Sequence, residues 1–347
     1  LTVVATTTQI CDYVTQIAAA STDLSLDKTD ASGKSSHVGV APDNAALTMS
    51  LTCLLAPNAS AHEHEMTPAQ TAALADADVM AVSGVDLEHF LDDAVASSGF
   101  HGRMVVTSGV LTASDVDNPG AADPQTPYTI DRGIERVEVS PWPFPPENAG
   151  EAPEFRFDPH VWTSPKRARV QVENLGAGLA AAAPDAAASI NAATASYLED
   201  LDALDAWATA SIETVPEGQR VLFTSHDAFG YFSGDYGIRF IGAALTDFND
   251  QQDATADHIA SAVQAVKDSG AVALFAENSN NSKSIEAIAR GAGVTPIVGD
   301  DALYGDSLGP DGSAGATYVG SIIHNVRAVT DAWGGTAPAL PERLAGQ

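Results

Sequence analysis

The stretch "PDAAASINAATASYLEDLDALDAWATASI", residues 184–212, decides the fold. Proline at 184 suits the first turn of a helix, where its missing N–H leaves no bond unmade. Beyond it Ile190, Tyr197, Leu201, Leu204 and Ala208 recur at helical spacing and form one apolar stripe. The pattern predicts one helix over 185–213, far longer than the few turns usual inside a compact α/β domain. We read it as a strut joining an N-terminal lobe, 1–184, to a C-terminal lobe, 214–347.

Both flanks alternate strand and helix signals. Upstream, "LTVVAT" reads as a strand and "TTQICDYVTQIA" as a helix capped by threonine. "MSLTCLLA", "DVMAVSG" and "RMVVTSG" read as strands, with helices predicted over "TPAQTAALADA" and "VDLEHFLDDAVAS". Downstream, "RVLFTS", "IRFIGA", "AVALFAEN" and "VTPIVG" are strands interleaved with helical stretches, the last over "TYVGSIIHNVRAVTDAWGG". Repeated βαβ units imply an α/β fold, each lobe a mostly parallel sheet flanked by helices. Two segments break the pattern. Residues 22–47 are polar and rich in Gly, Ser and Asp, and read as an irregular insertion. Residues 112–157 are rich in Pro and acidic residues, with one strand-like piece, "IERVEVS", and no histidine. An irregular segment of that length is expected to be functional or mobile.

Composition narrows the function. With 45% hydrophobic residues the chain can bury a sizeable core, and 16 basic against 46 acidic residues give a net charge of −30. That balance excludes nucleic acid as a partner, because phosphate contacts need clustered Lys and Arg. It also disfavours an anionic membrane surface, and a negative field concentrates cations. No apolar run reaches the about 18 residues of a membrane span. The opening "LTVVATTTQ" has no basic n-region or signal-like apolar core, which fits a cytoplasmic chain or one whose targeting segment has been removed. The two cysteines, Cys11 and Cys53, cannot form a zinc site alone. They are either buried free thiols or a bridge between the first helix and a neighbouring strand.

Enzyme signatures fail one by one. After "HE" at 62–63 the HExxH motif needs a histidine at 66, where Met66 stands. No GxGxxG follows a strand, and neither GxxxxGK[ST] nor GxSxG occurs. Three of the nine histidines share a context, a loop after a predicted strand or before a helix. They are His62 in "SAHEHEMTP", His160 in "DPHVWTSP" and His226 in "TSHDAFGYF". Loops beyond the carboxyl ends of parallel strands are where open α/β sheets bind ligands. Imidazole nitrogens suit zinc, copper, iron and nickel, and a carboxylate would complete a closed four-coordinate site. His62 and His160 are expected from the first lobe and His226 from the second. His37, His89, His101, His258 and His324 read as structural or surface groups.

At these residues the chain resembles the cluster A-I solute-binding proteins, the zinc and manganese receptors of bacterial ABC importers. "DPHVWTSP" resembles the family's DPHxWLDP stretch, with Thr163 and Ser164 in place of Leu-Asp. "TSHDAFGYFSGDYG" resembles its third metal segment. "AHEHEMTP" is similar to its first, PHxYEPTP, with His64 in the tyrosine position and Met66 in the first proline position. "LYGDSLGPDGSAGATYVGSIIHNV" is similar to the late segment that supplies an aspartate. The resemblance implies four metal ligands, His62, His160, His226 and Asp306, with Glu277, Asp300 and Asp301 the other acidic groups nearby. It implies a monomeric, extracytoplasmic receptor, secreted, periplasmic or lipid-anchored, that passes a divalent ion to a membrane permease. Histidine at 226, where manganese receptors carry glutamate, favours zinc, with manganese the alternative cargo. The reading from another class is a zinc-dependent hydrolase with Glu63 or Glu65 as base. It would need an open coordination position, which four protein ligands do not leave.

Overall fold

The computed structural model describes residues 1–62, 64–120, 125–144, 155–244 and 256–346. They divide into two compact units, one of residues 1–140 and 166–202, the other of 141–165 and 203–347.

In the first unit the strands are β1 (Thr2–Ala5), β2 (Leu24–Thr29), β3 (Ser35–Gly39), β4 (Leu47–Cys53), β5 (Val79–Val82), β6 (Arg103–Val106) and β7 (Thr129–Asp131). Its helices are α1 (Thr8–Ala19), α2 (Pro68–Ala75), α3 (Leu91–Ser98), α4 (Ala113–Asp117) and α5 (Pro165–Ala182). The strands form one sheet in the order β3-β2-β4-β1-β5-β6-β7, parallel except where β3 pairs antiparallel with β2. Central strands such as β5, buried at all four residues, carry no polar alternation because helices cover both faces of a parallel sheet. Val4, Met80, Val82, Met104 and Val106 pack with Leu74 of α2 and Phe100 into one core cluster.

Cys11 in α1 and Cys53 at the end of β4 are joined by a disulfide, their Cα atoms 5.6 Å apart. The bridge fixes the helix to the strand whose following loop carries His62. Closing a loop of 42 residues restricts the unfolded chain by about 4 kcal/mol at most.

The long helix is α6 (Ala187–Ile212), preceded by a short 3₁₀ turn at Pro184–Ala186. It is 26 residues long, and its residues fall in both units, changing over between Asp202 and Ala203. Ile190, Tyr197, Leu201, Leu204 and Ala208 are all buried, so the stripe faces packed side chains throughout.

In the second unit β8 (Val221–Thr224), β9 (Arg239–Ala243), β10 (Ala273–Phe275) and β11 (Thr295–Ile297) form an all-parallel sheet in the order β11-β10-β8-β9. It is flanked by α7 (Gly230–Asp235), α8 (Ala256–Ser269), α9 (Lys283–Ala292) and α10 (Tyr318–Ala332). Val221, Phe223, Leu274, Ile285 and Ile288 anchor its core.

Four sequence expectations need correction. Residues 22–47 are not irregular, because they carry β2, β3 and the turn between them. The Asp30 carboxylate holds that turn by accepting from the backbone N–H groups of Ser32 and Lys34. The stretch looked irregular because β3 is an exposed edge strand with no buried face to write an apolar alternation. "IERVEVS" is not a strand: Ile134 and Glu135 donate their backbone N–H to the Asn174 side chain, and Val137 to Ser108 O. The strand that extends the sheet is the short β7 just before it. Parts of the 112–157 segment, residues 121–124 and 145–154, lie outside the described residues. The helix expected from Val85 begins only at Leu91. Before it Glu88, itself buried, folds back to accept from the N–H groups of Ser83 and Gly84, and Val85 and Asp86 take φ near +57° and +56°.

The fourth correction concerns His160. The segment 141–165 groups with the second unit, not the first. Three hydrogen bonds tie it there: Trp162 Nε1 donates to Gly305 O, Tyr318 Oη to Trp162 O and Tyr231 Oη to Asp158 O.

Candidate metal centre

His226 lies two residues beyond the end of β8, and Asp306 lies in the loop between β11 and α10. His160 leads a single 3₁₀ turn, Val161–Thr163, directly ahead of α5. All three side chains are buried to within 1% of full burial. The Nε2 atoms of His160 and His226 are 3.2 Å apart. Asp306 Oδ1 is 3.6 Å from His160 Nε2, and its Oδ2 is 3.7 Å from His226 Nε2. Two imidazole nitrogens and a carboxylate thus converge on one point inside a single unit, with ligand atoms within 4.8 Å of one another.

The ring orientations follow from outer partners. His160 Nδ1 sits 2.7 Å from Asp158 Oδ1, which also accepts the His160 backbone N–H at 3.0 Å. The carboxylate holds the proton on Nδ1 and leaves Nε2 to face the cluster, the usual arrangement behind a metal-binding histidine. Asp158 is itself confined, since a Cβ at Gly230 would fall 2.4 Å from its Oδ2. On the other ring, His226 Nδ1 lies 3.2 Å from Asp227 Oδ1, and its backbone N–H donates to Glu277 Oε1 at 2.9 Å. Trp162 and Trp142 flank the His160 ring at centroid distances of 5.4 Å and 5.9 Å.

Electrostatics splits the two imidazoles. Burial alone would lower His160, but its hydrogen bond to Asp158 and the charges of Asp158, Asp306 and Asp227 outweigh it, so its pKa is raised. Burial dominates at His226 and drives its pKa down to about 4, against the pull of Asp306 and with the His160 charge adding to the effect. The metal-free pair therefore holds one proton, donated by His160 to His226 across the short Nε2 contact. A cation at the same point would displace that proton.

The remaining candidates separate cleanly. His62 lies in the first unit, in the loop between β4 and α2, partly buried, with its backbone N–H donated to Ser60 Oγ. His64 sets its ring edge on Phe90 at 5.0 Å. Glu65 is exposed, and Glu63 lies outside the described residues. Asp300 and Asp301 sit in an exposed 3₁₀ turn, so Asp306 is the acid that joins the two histidines. His37 contacts Asp27 and Val40 O, while His258 and His324 each face a backbone carbonyl. Sequence reading missed Asp158, Asp227 and Glu277. Asp158 had a legible signal, a carboxylate two residues before a ligand histidine, where it can reach the ring nitrogen turned away from the metal.

Comparison with known proteins decides the family. Residues 40–332 match the family described as "ZnuA: Zinc-uptake complex component A periplasmic". The chain belongs to the ZnuA family. Among curated relatives, the manganese-binding lipoprotein MntA of Bacillus subtilis (strain 168) is 29% identical over 285 residues, 81% of this chain and 82% of that protein. The zinc-binding protein TroA of Treponema pallidum (strain Nichols) is 33% identical over 184 residues, 52% of this chain and 58% of its own. Among solved structures, periplasmic TroA superposes with a TM-score of 0.69 at 24% identity, covering 96% of this chain and 98% of that one. A Mn-bound periplasmic metal-binding protein from Candidatus Liberibacter asiaticus gives 0.66 at 18% identity, covering 95% and 98%. At these identities the likeness shows the fold alone. ZnuA-family chains are extracytoplasmic solute-binding proteins of ABC importers that work with a permease, and this one is accordingly a receptor, not an enzyme.

Proposed function

We propose that this receptor captures a divalent transition metal, zinc in preference to manganese, and delivers it as a monomer to its permease. His160, His226 and Asp306 supply three ligands, and His62 supplies the fourth. The observation that carries the reading is the convergence of two imidazole Nε2 atoms and one carboxylate at a buried point. The assignment of His62 rests on the likeness of "AHEHEMTP" to the family's first metal segment. Three neutral imidazoles and one carboxylate suit tetrahedral zinc better than manganese, which prefers oxygen-rich octahedral surroundings. Relatives named for each metal are among the matches, so the preference comes from this chain's own donor set.

The test is metal content by mass spectrometry after exchange against equal zinc and manganese, for wild type, His226→Ala and His62→Ala. One zinc per chain, lost or much weakened in both variants, is the expected result. Manganese at one per chain would keep the receptor and change its cargo. Unchanged zinc in His62→Ala would remove that residue from the ligand set, and no stoichiometric metal in wild type would overturn the reading.

A further inference from the structure

Beside the ligands lies a buried carboxylate that is not one of them. Glu277 is 2% exposed and sits two residues past the end of β10, as His226 sits two past the end of β8. The two strands are parallel neighbours with Phe275 paired to Thr224, so the register brings Glu277 alongside His226. There Glu277 Oε1 accepts the His226 backbone N–H at 2.9 Å, and the Glu277 backbone N–H donates to Ser225 Oγ at 3.0 Å.

The other carboxylate oxygen faces the Asp306 loop. A Cβ built on Gly305 would lie 2.0 Å from Glu277 Oε2, so only glycine lets that loop pass this close to the carboxylate. Neighbouring bonds hold the approach in place. Leu303 N–H donates to Ala276 O, Asn278 N–H to Leu303 O, and Asn278 Nδ2 to Ser307 O. One strand end therefore touches the backbone of both loops, with Glu277 between the residue that carries the imidazole and the glycine just before Asp306.

We propose that Glu277 is a positioning residue of the metal centre, setting the spacing of His226 and Asp306 through the backbone of each loop. The inference rests on the metal-receptor reading above. It assigns Glu277 no contact with the ion. Its carboxylate fixes where the two ligand loops stand relative to each other, and with them the coordination geometry.

The experiment compares wild type, Glu277→Ala and Glu277→Gln, loaded with zinc under a competing chelator and separately with Co²⁺ for its visible absorption. Outer partners of this kind alter metal affinity by about 10- to 100-fold. Glu277→Ala should lose zinc affinity in that range and shift the Co²⁺ bands, because the ligand spacing relaxes. Glu277→Gln keeps an oxygen acceptor for the His226 N–H, and should recover part of the affinity and most of the spectrum. Thermal unfolding of the metal-free proteins checks folding, and if Glu277→Ala does not fold, Glu277→Gln read against wild type carries the test. Wild-type affinity and an unshifted Co²⁺ spectrum in Glu277→Ala would overturn the proposal while leaving the receptor intact. The same holds for Glu277→Gln if it is the only variant that folds. A variant that melts lower but binds both metals as wild type does would assign Glu277 to folding alone, and also overturns it. Absence of metal from wild type itself would instead overturn the receptor reading, and this inference with it.

Discussion

Asp158 and His160 form the closest ion pair of the centre, Oδ1 to Nδ1 at 2.7 Å, with both side chains withdrawn from solvent. One oxygen of the pair also accepts the His160 backbone N–H, so the carboxylate sets the ring angle and the tautomer together. Asp158→Asn keeps the shape but replaces a charged acceptor with an amide that can also present its N–H₂ to the ring. Zinc affinity should drop about 10- to 100-fold. Chelator competition on the purified variant measures it, and an unchanged affinity would show that Asp158 serves the fold only.

The opposite pKa shifts of the two imidazoles set a pH dependence. His226, with a pKa of about 4, is already neutral at pH 6, whereas His160 is held protonated above the ordinary histidine value. A ligand must be deprotonated to bind, so acid competes with metal through His160 first. Affinity should therefore be full only above the raised pKa of His160. It should fall with a slope of about one proton per pH unit on acidification through that pKa, and steepen toward two only near pH 4. Isothermal titration in buffers of different ionisation enthalpy counts the released protons. A slope of two already at pH 6 would contradict the split.

Much of this was legible in the sequence. The strands around β1, β5, β6, β8 and β10 announce themselves as apolar runs because parallel strands are buried on both faces. The long helix declares itself through five stripe residues, all of which are buried. The motif "DPHVWTSP" drew attention to His160 because histidine, acid and tryptophan fall together, but its unit could not be read. That membership depends on Trp162 reaching Gly305 and Tyr318 reaching Trp162, partners 143 and 156 residues apart in the chain. Glu277 was legible only as a nearby acid, since its role comes from the register of β8 against β10. The β2–β3 hairpin was hidden because an exposed edge strand needs no apolar pattern.

The disulfide should matter to the first unit and leave the chemistry of His160, His226 and Asp306 untouched. Cys11 and Cys53 are both nearly buried, and neither is near those residues in sequence. The double substitution Cys11→Ser, Cys53→Ser should lower stability by up to about 4 kcal/mol. Denaturant unfolding with and without reductant provides the measure. Wild type under reductant should approach the double variant, and equal midpoints for oxidised wild type and double variant would show that the bridge adds nothing.

Asn174 offers the sharpest test of how the segment after β7 is held. Its side chain is fully buried in α5. Oδ1 accepts from the backbone N–H groups of Ile134 and Glu135 at 2.8 and 3.0 Å, while Nδ2 donates to Thr107 O and Glu135 O at 2.8 and 2.9 Å. Four backbone groups thus take their partner from one amide, in place of a strand ladder. Gly133 fits the same contact, since its φ of +68° and a Cβ position 2.2 Å from Asn174 exclude a side chain there. Asn174→Ala strands those donors and acceptors, at about 1–3 kcal/mol for each group left both buried and unpaired, so a total loss of about 3 kcal/mol is expected once water reaches some of them. Hydrogen exchange should rise at Ile134 and Glu135 ahead of the rest of the unit. Protection unchanged at those two amides, with stability also unchanged, would mean that the segment is held by other contacts.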